Sequence, residues 1–531
     1  MKKNSVLAMY DVHGIQKYIY RTSRVKDTMG ASSIIENIVT ILLDEAVEQA
    51  GCKEQSSLIW CDENGYIPYH DDDSRVKVLF VGGGNAYVLF DSRELCITVN
   101  QYMARDLLYK TYSLQLATAF VEVSGDYQED YQRLRQEMEE VKAHMTDSKP
   151  YGALPIMKTE LETGYPLTYT DGTGEISTET HLKHKEKLLL EESEESKKSN
   201  YLIEEKGVDS TLAVIHIDGN NMGLRIRKQL GEKTNYEDAV NCMRRLSYQI
   251  NTSFKNVYEQ MEKLFTEKCM ELKRFRNKKE KQFIRKILVA GDDITYVCTG
   301  RIALATVQYF CQQISQKTLT GLNGRKEIEE NGFSVCAGVA FVGNHYPFDA
   351  AYAVAESCCE SAKMKAKQPC YTGSSQTVRI GNFVDFQICR NVQVKDLDGV
   401  RRNEYVTYMG EELLNRPYCI LTGTEDSEFI RKIKKEETFD DFTKNVCYFQ
   451  NPAHIPSSFV NEIRKTYSLG QFQMDILTSF LASRNIFMPD GTQEMYDKSR
   501  EPIRARWYDA TEMKDNFISL EEIMAGKENV E

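Results

Sequence analysis

The segment Ile287–Cys298, ILVAGDDITYVC, most restricts the folds open to this chain. Apolar β-formers run Ile287, Leu288, Val289, Ala290 and resume at Ile294, Thr295, Tyr296 and Val297. The stretch therefore reads as two strands joined at Gly291, Asp292 and Asp293. A tight hairpin tipped with adjacent carboxylates presses like charges together. A solvated turn is one explanation, because turns use Asp for local hydrogen bonds. A hard divalent cation, magnesium or manganese, is the other.

A second segment, Thr211–Gly223 (TLAVIHIDGNNMG), favours the cation. Leu212 to Ile217 reads as a short strand that ends on Asp218, and Gly219, Asn220 and Asn221 make a turn into a helix from Gly223. Free backbone N–H groups in such a turn can face a triphosphate. Helices are expected at Tyr236–Phe265, Ile302–Thr318 and Pro347–Lys367, with a strand at Phe333–Phe341. The order β-α-β-β-α-β is ferredoxin-like and sets the end of its first strand beside the central hairpin. Asp218, Asp292 and Asp293 then converge as metal ligands and catalytic acids, a set suited to phosphoryl transfer. Gly291 belongs to the same tip, and Lys363, on the last helix, is placed to reach a phosphate; a solvated helix end is its plain alternative.

The 531 residues exceed one ordinary core, so three or four domains are expected. Net charge −12 with 41% apolar residues lacks the basic surplus of a general nucleic-acid binder. No apolar run reaches membrane-span length, and MKKNSVLAMYDVHG enters a strand rather than a signal peptide. The 14 cysteines form no Cys-x-x-Cys pair. Free buried thiols and a cytoplasmic location are expected.

Residues 1–125 repeat the plan. Val6–Tyr10 is a strand ending at Asp11, a helix is expected over Ala31–Ala50, and Val76–Phe90 reads as a hairpin tipped by Gly82, Gly83, Gly84 and Asn85. A helix from Ser92 to Tyr112 and a strand at Leu116–Val123 complete it. Where the later copy has two acids this one has Gly84 and Asn85, so a metal pair is not expected. The glycines permit close backbone approach, to a partner nucleotide or merely to a neighbouring element.

DVHGIQKYIYRTSRVKDTMGASSIIE, with Gly14, Ile15, Gln16, Gly30, Ala31 and Ser32, resembles the start of the first palm in the Cas-ten family, the polymerase/cyclase-like large subunits of type III CRISPR complexes. DGNNMG and AGDD resemble that family's second-palm acid motif and hairpin, and Arg416, Pro417 and Tyr418, after a strand-like FVDFQIC segment, a further family feature. The resemblance covers about residues 1–425. It implies two ferredoxin-like palms that join ATP 3′ to 5′ into cyclic oligoadenylate, with Asp218, Asp292 and Asp293 binding the metals. The chain departs from the pattern at Ala290, at Asn220 where many relatives carry an acid, and in having no histidine-aspartate nuclease domain; His70 and Asp71 sit in a polar loop without further metal histidines.

The expected architecture is α+β. It has a degenerate first palm (1–125), a helical or irregular connector without zinc cysteines (126–205), a catalytic second palm (206–380) and a mostly helical C-terminal domain (381–531). In the connector, Leu188–Asn200 is a charge run, and Glu267–Lys286 in the second palm reads as a solvated charged helix with Phe275 and Phe283. Phe429–Asn445 and Pro456–Ser483 read as helices, the latter with an apolar stripe at Ile463, Tyr467, Phe472, Ile476 and Phe480. A loosely held tail is expected after Ser519. The reading is a metal-dependent nucleotidyltransferase using ATP, with a homodimer, CRISPR-type subunits and an RNA activator as candidate partners. The alternatives are a palm-pair scaffold that seats guide RNA and subunits, and a diguanylate-cyclase-like enzyme. Against the last stand the duplicated palm and the lack of an Arg-x-x-Asp motif at Cys298–Ala303.

Overall fold

The computed structural model describes residues 5–526, apart from 23–24, 83–84, 147–153, 155, 173, 192–210, 232, 276–281, 320–331, 344–345, 369–370, 372–379, 390–395 and 426. The first palm starts with β1 (Val6–His13), α1 (Ile15–Ile19), α2 (Val25–Ile35), α3 (Ile38–Gln49) and β2 (Ser56–Ser57). It continues with β3 (Val76–Gly82), β4 (Asn85–Phe90), α4 (Arg93–Thr111), β5 (Gln115–Glu122) and α5 (Tyr127–His144). Its strands lie in the order β2-β3-β4-β1-β5. Alternating side chains divide each strand between two cores. Val6, Ala8 and Tyr10 pack with Leu42, Ala46, Val99 and Met103 of α3 and α4. Leu7 and Met9 face the opposite way, towards Tyr127, Leu134 and Met138 of α5.

After α5 come the hairpin β6 (Leu167–Asp171) and β7 (Gly174–Ser177) and then α6 (Thr178–Glu191). The second palm is built from β8 (Thr211–Gly219), α7 (Met222–Leu230), α8 (Tyr236–Cys269), β9 (Ile284–Ala290), β10 (Asp293–Thr299), α9 (Ala303–Ile314), β11 (Val335–Gly343) and α10 (Phe348–Ala366). Beyond them lie β12 (Asn382–Ile388), α11 (Leu397–Glu404) and β13 (Tyr418–Ile420). The sheet order is β13-β12-β11-β8-β10-β9. Both sheets contain the ferredoxin order, and the mixed α+β palm-pair class holds. The second sheet does not stop at residue 380, however. β12, the strand-like FVDFQIC segment, joins β11 in parallel and β13 follows it, so the region assigned to a mostly helical domain opens by adding two strands to the second sheet.

The 34-residue helix α8 ties the palms together. Buried Arg244 donates to the carbonyls of Val78, Leu79 and Ile67, each at 2.6 Å. Between Val78 and Phe80 the β3–β4 register shifts, so carbonyls there leave the regular ladder and the guanidinium satisfies them. Asn241 accepts from the Tyr69 N–H at 2.7 Å, and Ser247 donates to the Val81 carbonyl. From the other direction Ser32 of α2 donates to the Ile287 carbonyl of β9, and Lys286 meets Glu36 at 3.2 Å.

The remaining elements are α12 (Ser427–Lys432), α13 (Phe439–Gln450), α14 (Ser457–Tyr467), α15 (Gln471–Ser483), β14 (Tyr496–Asp497), β15 (Arg504–Ala505), α16 (Tyr508–Met513) and α17 (Leu520–Ala525). Several expectations are corrected. The Ala31–Ala50 helix is two helices broken at Asn37, whose φ is 62°, and the first begins at Val25. Gly30 lies inside α2 because the Lys183 carbonyl of α6 occupies the place of a Cβ. Pro456–Ser483 splits at Gly470, and Phe472 and Ile476 are 73% and 54% exposed while Met474 and Leu481 turn inward. Phe429–Asn445 is also split, because Thr438 caps a new helix by accepting from the Asp441 N–H. The tail is held: Ser519 and Glu522 form a capping box and Ile523 is buried. The Glu267–Lys286 segment is not one helix: α8 ends at Cys269, residues 276–281 lie outside the described residues, and Phe275 and Phe283 pack edge to face in the core. The charge run is described only to Glu191. Among the described residues no helix is long and apolar enough to cross a membrane, and 13 cysteines are free thiols.

Candidate active site

β8 and β10 are antiparallel neighbours, with Ile217 opposite Ile294. Continuing that register sets Asp218 opposite Asp293. The chain then reverses through Gly291 at φ +65°, a left-handed conformation that glycine adopts without a steric cost, so Asp292 rises at the tip. Gly219 makes room for it: a Cβ there would come within 2.7 Å of Asp292 Oδ2. Asn221, at φ +56°, caps α7. The three acids separated in sequence are thereby brought to one end of the sheet.

Their electrostatics follow from crowding in a partly buried place. Burial, then Asp218, raises Asp292 from 3.8 to about 6. Burial, Asp218 and Asp292 raise Asp293 to about 7. Asp293 Oδ1 is buried and takes no hydrogen bond from the described residues. His216 Nδ1 stands 3.4 Å from it and 3.3 Å from Thr295 Oγ1. Burial outweighs Asp218 and drives His216 down to about 4, so this imidazole is neutral at physiological pH. Lys363 of α10 pairs with Asp218. Burial opposes the charge on Lys363, yet Asp218 lifts its pKa above the ordinary lysine value.

Among the described residues no group of three or more His, Cys, Asp or Glu side chains stands close enough together to hold a metal ion. The donor chemistry nevertheless suits one: hard carboxylate oxygens, two of the carboxyls raised by burial and then by neighbouring acids, one oxygen without a hydrogen bond, and a cation already drawn to Asp218. Asp218, Asp292 and Asp293 are the residues that would hold it.

Other expected site residues fall differently. Asn220 is buried, its N–H donates to the Ser334 carbonyl at 2.8 Å, and its Nδ2 donates to the Gly381 carbonyl at 3.2 Å. Its amide ties the turn to β12 rather than facing the acids. Gly223 opens to free space near the start of α7. Gly83 and Gly84 lie outside the described residues. Gly82 lies against the Ser247 hydroxyl, so the close approach it permits is to α8. Lys365 donates to the Pro417 carbonyl at 2.8 Å, away from Lys363.

Sequence reasoning aligned the two copies but missed the Asp–Lys pair of the first palm. Asn85 lies opposite both Asp11 and Gly82. Asn85 is therefore the counterpart of Asp293, and Asp11 of Asp218. Asp11 pairs with Lys142 of α5. Counted from the first residue of its helix, Lys142 occupies the same position in α5 as Lys363 in α10. The first palm has exchanged its hairpin acids but kept the Asp–Lys pair. Tyr20 was also missed. It stacks on Tyr352 of α10 with centroids 3.8 Å apart, and the His216 ring meets Tyr352 edge-on, so a first-palm side chain underlies the acids. No local pattern marks these residues; only comparison of the two copies strand by strand would have found Lys142.

Residues 211–370 match the Cas10/Cmr2 second palm domain. No curated protein matches the chain. A solved Csm1–Csm4 cassette in complex with pppApA aligns over 99% of this chain and 70% of that chain, at 14% identity and TM-score 0.53. Csm1 of T. onnurineus aligns over 99% and 70%, at 13% identity and TM-score 0.48. A cassette with AMPPNP aligns over 68% and 53%, at 15% identity and TM-score 0.40. The chain thus spans 53% to 70% of the length of these proteins. At this identity the likeness concerns the fold.

Proposed function

The chain belongs to the Cas10 family through its second palm, residues 211–370, and on that premise we propose that it is a nucleotidyltransferase that joins ATP into a cyclic oligoadenylate. The observation that carries the reading is the placement of Asp218, Asp292 and Asp293 at one sheet end, with Lys363 paired to Asp218, beside a first palm that keeps the Asp11–Lys142 pair but not the hairpin acids. One palm is equipped for chemistry and the other for holding. Magnesium or manganese on the three acids would neutralise triphosphate charge and lower the pKa of the attacking hydroxyl.

The chain's own groups do the rest. Lys363 is long enough to swing from Asp218 to a phosphate oxygen, and the turn at Asn221 presents backbone N–H groups at the start of α7. Neutral His216 stands 3.4 Å from Asp293 without competing for its charge. The 3′-hydroxyl of the nucleotide on the first palm attacks the α-phosphorus of the second. The new P–O bond replaces the bond to pyrophosphate, and the hydroxyl proton passes to solvent. Lys142 would hold the phosphates of the acceptor. Subunits of a CRISPR-type complex and an RNA activator are the proposed partners.

The test is turnover of labelled ATP with magnesium or manganese, with and without cellular RNA, beside a D292A/D293A variant. Oligoadenylate lost in the variant supports the synthase. No product under any condition would overturn it in favour of a scaffold that seats RNA and subunits. That no three acids stand close enough together to hold a metal among the described residues is the observation on the scaffold's side.

A further inference from the structure

On the face of α10 turned away from Lys363, a cleft of about 570 Å³ opens between the helix, the Arg416–Pro417 turn and residues 499–504. That volume suits a nucleotide-sized molecule. Lys365, Arg416, Lys434, Arg500 and Arg504 line it, against Glu437 and Glu501, in a chain of net charge −12. Concentrating cations in one concavity of an acidic protein costs self-repulsion, which an anion would relieve.

Carboxylates answer part of this charge. Arg504 pairs with Glu412 at 2.6 Å, Arg500 reaches Glu436 at 2.8 Å and Asp497 at 3.2 Å, and Arg416 bonds Glu512 at 3.0 Å. The inner part is answered less well. Glu437 is shared by Arg500 at 3.7 Å, Lys365 at 3.9 Å and the Tyr371 hydroxyl at 2.9 Å. Lys365, 12% exposed, donates to the neutral Pro417 carbonyl. Burial lowers its pKa, Glu437 pulls the other way, and Arg504 and Arg500 push it down further. Arg416 Nε is buried with no acceptor among the described residues. Lys434 is exposed and forms no salt bridge with a described residue.

We propose that this cleft is a second anion site, distinct from the acidic hairpin, which takes the phosphate groups of a nucleotide-sized molecule on Lys365, Lys434, Arg500 and Arg504. Arg416 and Pro417 of the Arg-Pro-Tyr motif, unused at the active site, line it. Because Lys363 and Lys365 leave opposite faces of the same helix end, occupancy of the cleft bears on the end of α10 that carries the phosphate-facing lysine.

The test uses the full chain and two probes, ADP and pyrophosphate. Binding is read by calorimetry, and occupancy by mass-spectrometric protection of Lys365 and Lys434 from acetylation. Either probe should protect both lysines in wild type and in D292A/D293A alike, which separates this site from the catalytic one. The K434E variant, at an exposed position, should weaken that protected binding at least tenfold, and K365Q/K434E should abolish it while thermal unfolding stays cooperative. Unprotected lysines with both probes, or affinity unchanged in K434E, would overturn the proposal. Protection of Lys434 by a single-stranded RNA but by neither small probe would overturn it in favour of an RNA surface.

Discussion

Asp293 sits beside two other acids with one buried oxygen that nothing donates to, and its replacement by Asn removes that repulsion while keeping the shape. The folded carboxyl titrates at about 7, against an ordinary value of 3.8. Between those values the folded chain holds a proton that the unfolded chain lacks, so this group makes stability fall as pH rises through the window. D293N is expected to unfold at a higher temperature than wild type at pH 7.5, by about 1 °C for each ~1 kcal/mol relieved in a chain of 531 residues. The gain should shrink steadily as pH drops from 7 towards 4. Thermal scans across pH check this, and a pH-independent difference would contradict it. Manganese should raise the melting temperature of wild type and leave D292N/D293N unmoved, because only an ion bound to the folded state stabilises it. In the turnover assay, Lys363→Met is expected to raise KM for ATP at least tenfold, through loss of a phosphate contact. The acids and Lys363 were legible as residue types on strand, turn and helix. Asn220 was not, because its burial depends on the Gly381 carbonyl of a distant segment.

At the scale of elements, Arg244 and Gly338 carry the packing. Arg244→Met would leave the carbonyls of Ile67, Val78 and Leu79 without their donor at a bulge that has no ladder partners to spare. The expected loss is about 3 kcal/mol or more, read as a lower urea midpoint at unchanged slope. Gly338 lies where α10 crosses β11, and an added Cβ would run into the Ala355 carbonyl and the Cys359 N–H. G338A should cost a similar ~1–3 kcal/mol by overpacking and reduce turnover by shifting Lys363. Strand positions were readable because alternation of apolar side chains is a local property. Helix breaks at Asn37 and Gly470 were not: apolar spacing continued through both, and the backbone turned there to bring α3 and α15 onto different neighbours.

For the whole molecule, α8 makes the two palms one unit and α17 closes it. Ile523 is fully buried, and α17 packs against α8 and α9. Truncation after Ser519 is therefore expected to lower stability by about 2–4 kcal/mol, the cost of emptying such a site, and to speed amide exchange in α8 and α9. Unchanged exchange there would return the tail to the loosely held segment expected from the sequence. The sequence by itself determined the duplicated strand order, the acid-tipped hairpin and the loss of acids in the first copy, because strand period and turn chemistry are written within a few residues. Tertiary structure alone decided that β12 and β13 extend the second sheet, that Asp11 and Lys142 mirror Asp218 and Lys363, and that Tyr20 underlies the acids. Which face is covered and which charges meet are set by residues far apart in the chain, and no local pattern encodes a partner that only folding brings near.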